Sequence, residues 1–343
     1  ALTRGMNKRS TFLIMRVPRP RGGDYLVGLR FENIRGGHPL SLKPGDATVA
    51  QFRLERRDAG YLVPRAGGAS DLRQKRVVLV GCGAIGGQLA LELIRCGIGQ
   101  LTLVDPDVLR PENAHRHVLG MPPLLLQPNK ALLLAAEIER RYPGSQIKGL
   151  ATTIEHAIEV GSIVPTEYDL VVSATGDPNV DRSLNDRLYT AESRPASLFT
   201  WLEPLGIGGH AVAFAPQEQG ALPGCFDCLF TPRPLDPAPV LENHASFAAP
   251  GQVFTRELAG CGNAFTPYSS LDALRTAEIA ARLIIDVLQG RVHGPLLRSW
   301  KGSGEAFRAA GFRTAPRFEV ASETLETGCT DVAMTNCRVC GAK

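Results

Sequence analysis

No apolar run in these 343 residues reaches the length needed to cross a bilayer. The opening stretch from Ala1 to Ser10 is basic but lacks the apolar segment of a secretory signal. Together these absences make the cytosol the expected compartment, and eight cysteines in that compartment are not read as a disulfide framework. Charge of one sign is also missing. Lys and Arg number 38 against 34 Asp and Glu, and a formal net charge of +4 gives no global attraction to nucleic acid. No internal repeat is present. A composition of 44% hydrophobic and 21% charged residues then fits a globular chain of two or three structural units around a buried core.

Residues 1–70 read as a β-rich N-terminal unit. Phe12 to Val17 and Tyr25 to Phe31 are strand-like, separated by Pro18-Arg-Pro-Arg-Gly-Gly23, and a further β-like stretch covers Ala50 to Leu54. Arg16, Arg19, Arg21, Arg30, Arg35, Arg53, Arg56 and Arg57 make this unit basic, either as a solvated face or as a docking surface for an acidic partner or nucleotide. Gly60 to Ser70, with three glycines and a proline, reads as a linker, and no chemistry is visible before it.

Residues 71–343 carry a different pattern. Arg76 to Val80 is a short continuous apolar run suited to a strand buried on both faces. A helix follows from Ile85 to Arg95, with Gly97 placed as its left-handed terminator. Leu101 to Val104 is a second strand, Lys130 to Arg141 a second helix and Tyr168 to Ser173 a third strand. This alternation predicts an α/β fold with a mainly parallel sheet and crossover helices. Trp201 to Phe214 adds further strand character, and Leu271 to Leu288 reads as an amphipathic helix. Between Leu229 and Ala264 the periodicity fails around a proline-rich run, which predicts a functional or mobile crossover loop.

Between the first strand and the first helix stands Gly81-Cys82-Gly83-Ala84-Ile85-Gly86. Glycines let the backbone approach a phosphate, and the helix N-terminus offers N–H groups and partial positive charge. Asp105, at the end of the next strand, is placed to bind ribose hydroxyls. These features suit NAD and ATP equally. The run from Asp105 to His117 separates the two. Asn113 and Arg116 are one helical turn apart, an amide for a phosphate oxygen and a guanidinium for charge developing on phosphate, and Lys130 adds a second cation. A nicotinamide enzyme has no need of such a set.

On these residues the stretch from Arg76 to Asp177 resembles the adenylation domain of ubiquitin-activating enzymes and their bacterial relatives in molybdopterin and thiamine biosynthesis, a Rossmann-like fold. The matching elements are Gly81/Gly83/Gly86, Asp105, Asp107-Val108, Asn113/Arg116 and Lys130. Asn-Ala-His-Arg-His-Val-Leu-Gly, where the family usually continues Arg-Gln, looks more like prokaryotic activating enzymes linked to a conjugating-enzyme-like domain in bacterial anti-phage operons. The resemblance implies ATP with Mg²⁺, an Asp holding the metal (Asp177, with Gly176 as an apparent insertion) and an Arg supplied across a homodimer (Arg73 or Arg76). It also implies a protein substrate and a conjugating-enzyme-like carrier, fused upstream or separate.

Two Cys-x-x-Cys pairs remain, Cys225/Cys228 and Cys337/Cys340. Four thiolates at this spacing suit tetrahedral Zn²⁺ with no open position, a structural site, and the bacterial relatives carry the same pairing. Cys261, in Ala-Gly-Cys-Gly-Asn, is the candidate nucleophile. Its glycine-flanked loop permits access and movement, and the family's thioester cysteine lies between the same elements. Cys329 is the rival, while Cys82 and Cys96 read as packing positions, and His115, His117, His210 and His244 show no metal-ligand spacing. The reading is adenylation of a protein C-terminal carboxylate followed by thioester formation. A sulfur-transfer adenylyltransferase, an NAD-dependent oxidoreductase and a non-catalytic nucleotide-binding scaffold stand as alternatives.

Overall fold

The computed structural model of the protein describes residues 10–20, 23–121, 127–191, 193–216, 224–233, 243–255 and 265–341. Cys261, within 256–264, lies outside the described residues. The chain divides into two compact units between Leu62 and Val63.

The first unit is a three-stranded antiparallel sheet of β1 (Ser10–Pro18), β2 (Asp24–Arg35) and β3 (Asp46–Phe52), in that order. Gly28 has a packing reason, because a Cβ there would come within 2.8 Å of the Phe52 ring. That ring also meets Phe12 edge-on at 5.6 Å. The sequence between Gly60 and Ser70 is not the plain linker expected of it. It holds a short helix, α1 (Ala59–Arg65), and the start of a 3-10 turn (Ser70–Gln74). The amides of Tyr61 and Leu62 bond back to the Asp58 carbonyl, and Gly67, at φ 82°, follows the helix, so the glycines and proline punctuate a helix instead of replacing it.

The second unit is built on a seven-stranded sheet. Its strands are β4 (Arg76–Val80), β5 (Gln100–Val104), β6 (Gln146–Leu150), β7 (Leu170–Ser173), β8 (Ala196–Leu202), β9 (Gly208–Phe214) and β10 (Pro295–Lys301). The order is β10-β9-β8-β7-β4-β5-β6, parallel from β8 through β6 and antiparallel at β9 and β10. The apolar run of β4 is explained by its central place. Val77 and Leu79 enter one core with α2 (Ala84–Cys96), α3 (Lys130–Arg141) and α6 (Ser270–Leu288). Val78 and Val80 enter the other with α4 (Ile154–Glu159), α5 (Pro178–Tyr189) and the cysteine pairs. Both faces are therefore covered, as a parallel sheet requires. Helix ends follow local chemistry. Gly97 terminates α2 at φ 110°, the Asn129 side chain accepts from Leu132 N at the start of α3, and Ser269 with Asp272 forms a reciprocal cap on α6. Two short helices complete the chain, α7 (Glu305–Ala309) and α8 (Ser322–Thr327).

Candidate nucleotide site and four-cysteine cluster

The glycine loop leaves β4 at Gly81, whose φ of 86° belongs to the region that favours glycine. A Cβ at Gly86 would lie 1.9 Å from the Gly81 carbonyl oxygen, so this glycine lets the helix close against the loop. Gly83, the N-cap of α2, has open space where a Cβ would stand. Ala84 and Ile85 are the buried first residues of the helix.

Between these glycines Cys82 is held by both of its backbone groups. Its N–H donates to Asp105 Oδ2 at 2.6 Å, and its carbonyl lies 2.6 Å from His117 Nε2. Leu119 N donates to His117 Nδ1 at 3.2 Å, so the ring proton sits on Nε2 and that nitrogen donates to Cys82. Burial pushes the His117 pKa down, which favours this neutral ring. The other oxygen of Asp105 accepts from Asp107 N at 2.8 Å. Burial raises the Asp105 carboxyl and these two backbone donors oppose the rise. The Cys82 thiol, fully enclosed, is pushed well above its ordinary value, as expected of a packing residue.

A cavity of about 360 Å³ opens at this loop, within the size range of small-molecule sites. It is lined by Gly81, Gly83, Asp105, Asp107, Lys130 and Asp177, among others. Lys130 Nζ is 2.8 Å from Asp107 Oδ2, and the lysine side chain is only 11% exposed. Asp177 caps α5 by accepting from Asn179 N at 2.8 Å. Asn113 and Arg116 have other engagements. Asn113 Oδ1 accepts from Arg110 N at 3.1 Å, and the Arg116 guanidinium lies 5.1 Å over the Tyr268 ring. Neither lines the cavity in this structure, whereas Thr153 and Glu155 do. Asn129 also escaped the sequence reading as a site residue: its Nδ2 donates to the carbonyls of Asp105 and Asp107 at 2.7 and 3.0 Å, tying α3 to the acidic loop. Its signal was the ordinary one of a helix cap ahead of Lys130.

A second, larger cavity of about 600 Å³ adjoins the same strand ends. Its walls include Gly176, Pro178, Asp181, Glu203, Phe226 and Arg317. Asp181 is 2% exposed and accepts from Ser173 Oγ at 2.5 Å and Thr175 Oγ1 at 2.8 Å, yet burial still lifts its pKa to about 6. Glu203 is saturated. His210 Nε2 approaches its Oε1 at 2.8 Å, and Phe247 N and Ala248 N donate to its two oxygens at 2.5 and 2.9 Å. This carboxylate fastens the irregular stretch 243–255 to the sheet and so shapes the cavity wall.

The four cysteines converge. Their sulfurs all lie within 4.8 Å of one another, and all four residues are buried. In a tetrahedral Zn–S₄ site the sulfurs stand roughly 3.8 Å apart. Cys225 to Cys337 at 3.6 Å and Cys228 to Cys340 at 3.2 Å are near that spacing. Chemistry and distance therefore fit a closed structural Zn²⁺ site. Between the two pairs Asp227 accepts from Arg182 at 2.6 Å and pairs with Arg338 Nε at 2.8 Å, a bridge from one pair to the other.

The chain thus combines a Rossmann-like α/β fold, a cavity at its glycine loop and a buried four-cysteine cluster. The chain belongs to the ThiF family, whose profile matches residues 57–334. It is 31% identical over 265 residues to "ATP-dependent ubiquitin transferase-like protein Cap2" of Pseudomonas aeruginosa, covering 73% of this chain and 43% of that protein. "Adenylyltransferase and sulfurtransferase MOCS3" of Sus scrofa is 27% identical over 258 residues, covering 74% of this chain and 52% of that one. The chain thus spans less than half the length of the Cap2 relative and about half that of MOCS3. Among solved structures, E. coli MccB with ATP shares the fold at a TM-score of 0.51 and 18% identity, over 82% of this chain and 68% of that one.

Proposed function

We propose that this chain uses ATP to adenylate a protein's C-terminal carboxylate and then takes the acyl group onto Cys261 as a thioester, for delivery to a conjugating-enzyme-like carrier. One observation carries the first step. Along the connection after β7 and the first turn of α5, Thr175, Asp177 and Val180 line the smaller cavity while Gly176, Pro178 and Asp181 line the larger. A single short segment is the shared wall of both. A carboxylate entering through the larger cavity would then meet the α-phosphate of a nucleotide in the smaller, the proximity such a reaction requires.

In this reading Gly81, Gly83 and the start of α2 receive phosphate, and Asp105 receives the ribose. The carboxylate oxygen attacks the α-phosphorus, the bond to the bridging oxygen breaks and pyrophosphate leaves. Lys130 stabilises the charge that develops, and Arg116 and Asn113 join it once they turn from Tyr268 and Arg110. Mg²⁺, held by Asp177, would neutralise the departing pyrophosphate. Zn²⁺ on Cys225, Cys228, Cys337 and Cys340 would cross-link the wall carrying Phe226. Thiolate attack by Cys261 on the acyl carbon would release AMP. For Cys261 the support is its sequence position, a glycine-flanked loop ahead of α6. A homodimer using Arg73 or Arg76, a cytosolic location and a role in bacterial antiviral signalling belong to the same proposal and rest on the motif resemblance from Asn113 to Gly120.

The test mixes wild type and Cys261→Ser with ATP, Mg²⁺ and lysate of the source cells, followed by non-reducing gels, intact mass and pyrophosphate exchange. The expected result is an ATP-dependent adduct that thiol reductant removes from wild type but that is ester-linked or missing in the variant. Exchange without an adduct in either protein would refute the thioester step and favour a sulfur-transfer adenylyltransferase. No exchange at all would refute activation.

A further inference from the structure

We infer that Arg317 reads an acidic side chain of the protein tail, so that the substrates of this chain carry Asp or Glu shortly before their C-terminal carboxylate. The inference rests on the reading that the larger cavity admits such a tail.

Arg317 sits in the 3-10 turn Pro316–Glu319 and lines the larger cavity with Arg233 and His244. Its Nη2 donates to Ser299 Oγ at 3.2 Å, while Nε is enclosed and has no hydrogen-bond partner. Among the described residues no carboxylate stands within ion-pair distance of this guanidinium. Other partly buried arginines of the same unit do have one: Arg182 with Asp227 at 2.6 Å and Arg298 with Asp286 at 2.7 Å. A partly buried charge without a counter-ion is costly.

The carboxylate that shares this wall cannot serve. Glu203 is filled by His210, Phe247 N and Ala248 N. A chain of hydrogen bonds separates it from Arg317: Arg317 donates to Ser299, whose Oγ lies 2.8 Å from His210 Nδ1, and the far side of that ring meets Glu203. Ser299 and His210 are both fully buried, so this Ser–His–Glu arrangement is inaccessible to substrate and serves to brace the arginine. The Phe247 ring lies 6.0 Å from the guanidinium carbon and supports it from another side. What results is a braced guanidinium on a cavity wall, a charge-assisted donor for a carboxylate.

Gly176 and Pro178 line the same cavity and alternate with Thr175 and Asp177, which line the nucleotide cavity. The terminal carboxylate therefore belongs near Gly176 and the acidic side chain farther back along the tail.

The experiment uses the whole chain and a set of alanine- and serine-based dodecapeptides ending in glycine with a free carboxylate. Each carries one Asp, its Asn control or a Lys at one of the six positions preceding the terminal glycine. Pyrophosphate exchange gives kcat and KM, and fluorescence anisotropy in the presence of a non-hydrolysable ATP analogue gives Kd. Wild type should prefer Asp to Asn roughly tenfold at one or two adjacent positions, through KM and Kd, since that is the scale of a charge-assisted hydrogen bond. Arg317→Gln should bring the Asp/Asn ratio to one, Arg317→Lys should keep part of it, and Arg317→Glu should shift preference to Lys at that position. Equal use of Asp and Asn at every position in wild type would overturn the inference. So would an Arg317→Gln variant that weakens Asp and Asn peptides by the same factor, because that marks a merely structural bond to Ser299. Failure of the parent reading looks different: neither exchange nor peptide binding with any member of the set, which would remove the tail cavity and this inference together.

Discussion

Asp181→Asn should make this protein more stable at neutral pH. The carboxyl is 2% exposed, and its pKa is lifted from an ordinary 3.8 to about 6, first by burial, with the hydroxyls of Ser173 and Thr175 pulling the other way. An acid whose pKa is higher folded than unfolded holds its proton more tightly in the folded chain. Between pH 3.8 and about 6 the folded state therefore binds more protons, and stability falls as pH rises through that window. At 1.36 kcal/mol for each tenfold change in proton affinity, the loss is about 3 kcal/mol once the group is fully ionised. Asparagine can still accept both hydroxyls through Oδ1 but never ionises. Urea unfolding followed by tryptophan fluorescence, in steps from pH 4.5 to 8, should show the variant ahead of wild type by about 1–3 kcal/mol at pH 7.5, with the gap narrowing toward pH 4.5. Parallel pH curves, or a variant weaker than wild type at pH 7.5, would refute the reasoning.

Other consequences are as direct. Purified protein should hold about one zinc per chain, and Cys225→Ser or Cys340→Ser should lose most of it and melt several degrees lower, as read by elemental analysis and calorimetry. His117→Leu removes the donor to the Cys82 carbonyl and should weaken ATP binding about tenfold by calorimetric titration, whereas His117→Gln, which can donate, should stay within about threefold. Because burial lowers the His117 pKa, protonation costs more in the folded chain, so this site's contribution to stability should decline as pH drops below 6.5; His117→Gln should remove that decline from urea unfolding curves. Glu203→Gln cannot accept all three donors with both atoms, and hydrogen exchange at the Phe247 and Ala248 amides should speed up by tenfold or more. Lys130→Ala should lower pyrophosphate exchange by about a hundredfold while leaving the melting temperature within a few degrees.

What was legible in the sequence followed from local physics. The run Arg76 to Val80 announced a strand buried on both faces, and Lys130 to Arg141 gave a helix with the bounds expected of it, because each carries its own periodicity and punctuation. The cysteine pairs announced a shared site through spacing alone, and the four sulfurs do meet. What was not legible depends on contacts between distant segments. Nothing near Asp227 points to Arg338, 111 residues on. His117 showed only that it lacks metal-ligand spacing, and its bond to a loop carbonyl 35 residues earlier has no sequence signature. The stretch 243–255 lacks any period because its amides find scattered partners and no ladder: Phe247 and Ala248 donate to Glu203, His244 to the Leu229 carbonyl and Ala249 to that of Arg313. Asn113 and Arg116 were expected as a pair facing phosphate; their spacing was readable, but the rotamers that point them to Arg110 and Tyr268 were not.

The partners of Cys225 and Cys228 lie 112 residues downstream, and Phe226 and Phe230, set among the first pair, wall the larger cavity. During synthesis, then, the aromatic wall is made early but can be stitched in place only after residue 340 has left the ribosome. A chain ending before residue 337 would keep the glycine loop but lack two of the four sulfurs, and with them the cross-link beside this wall.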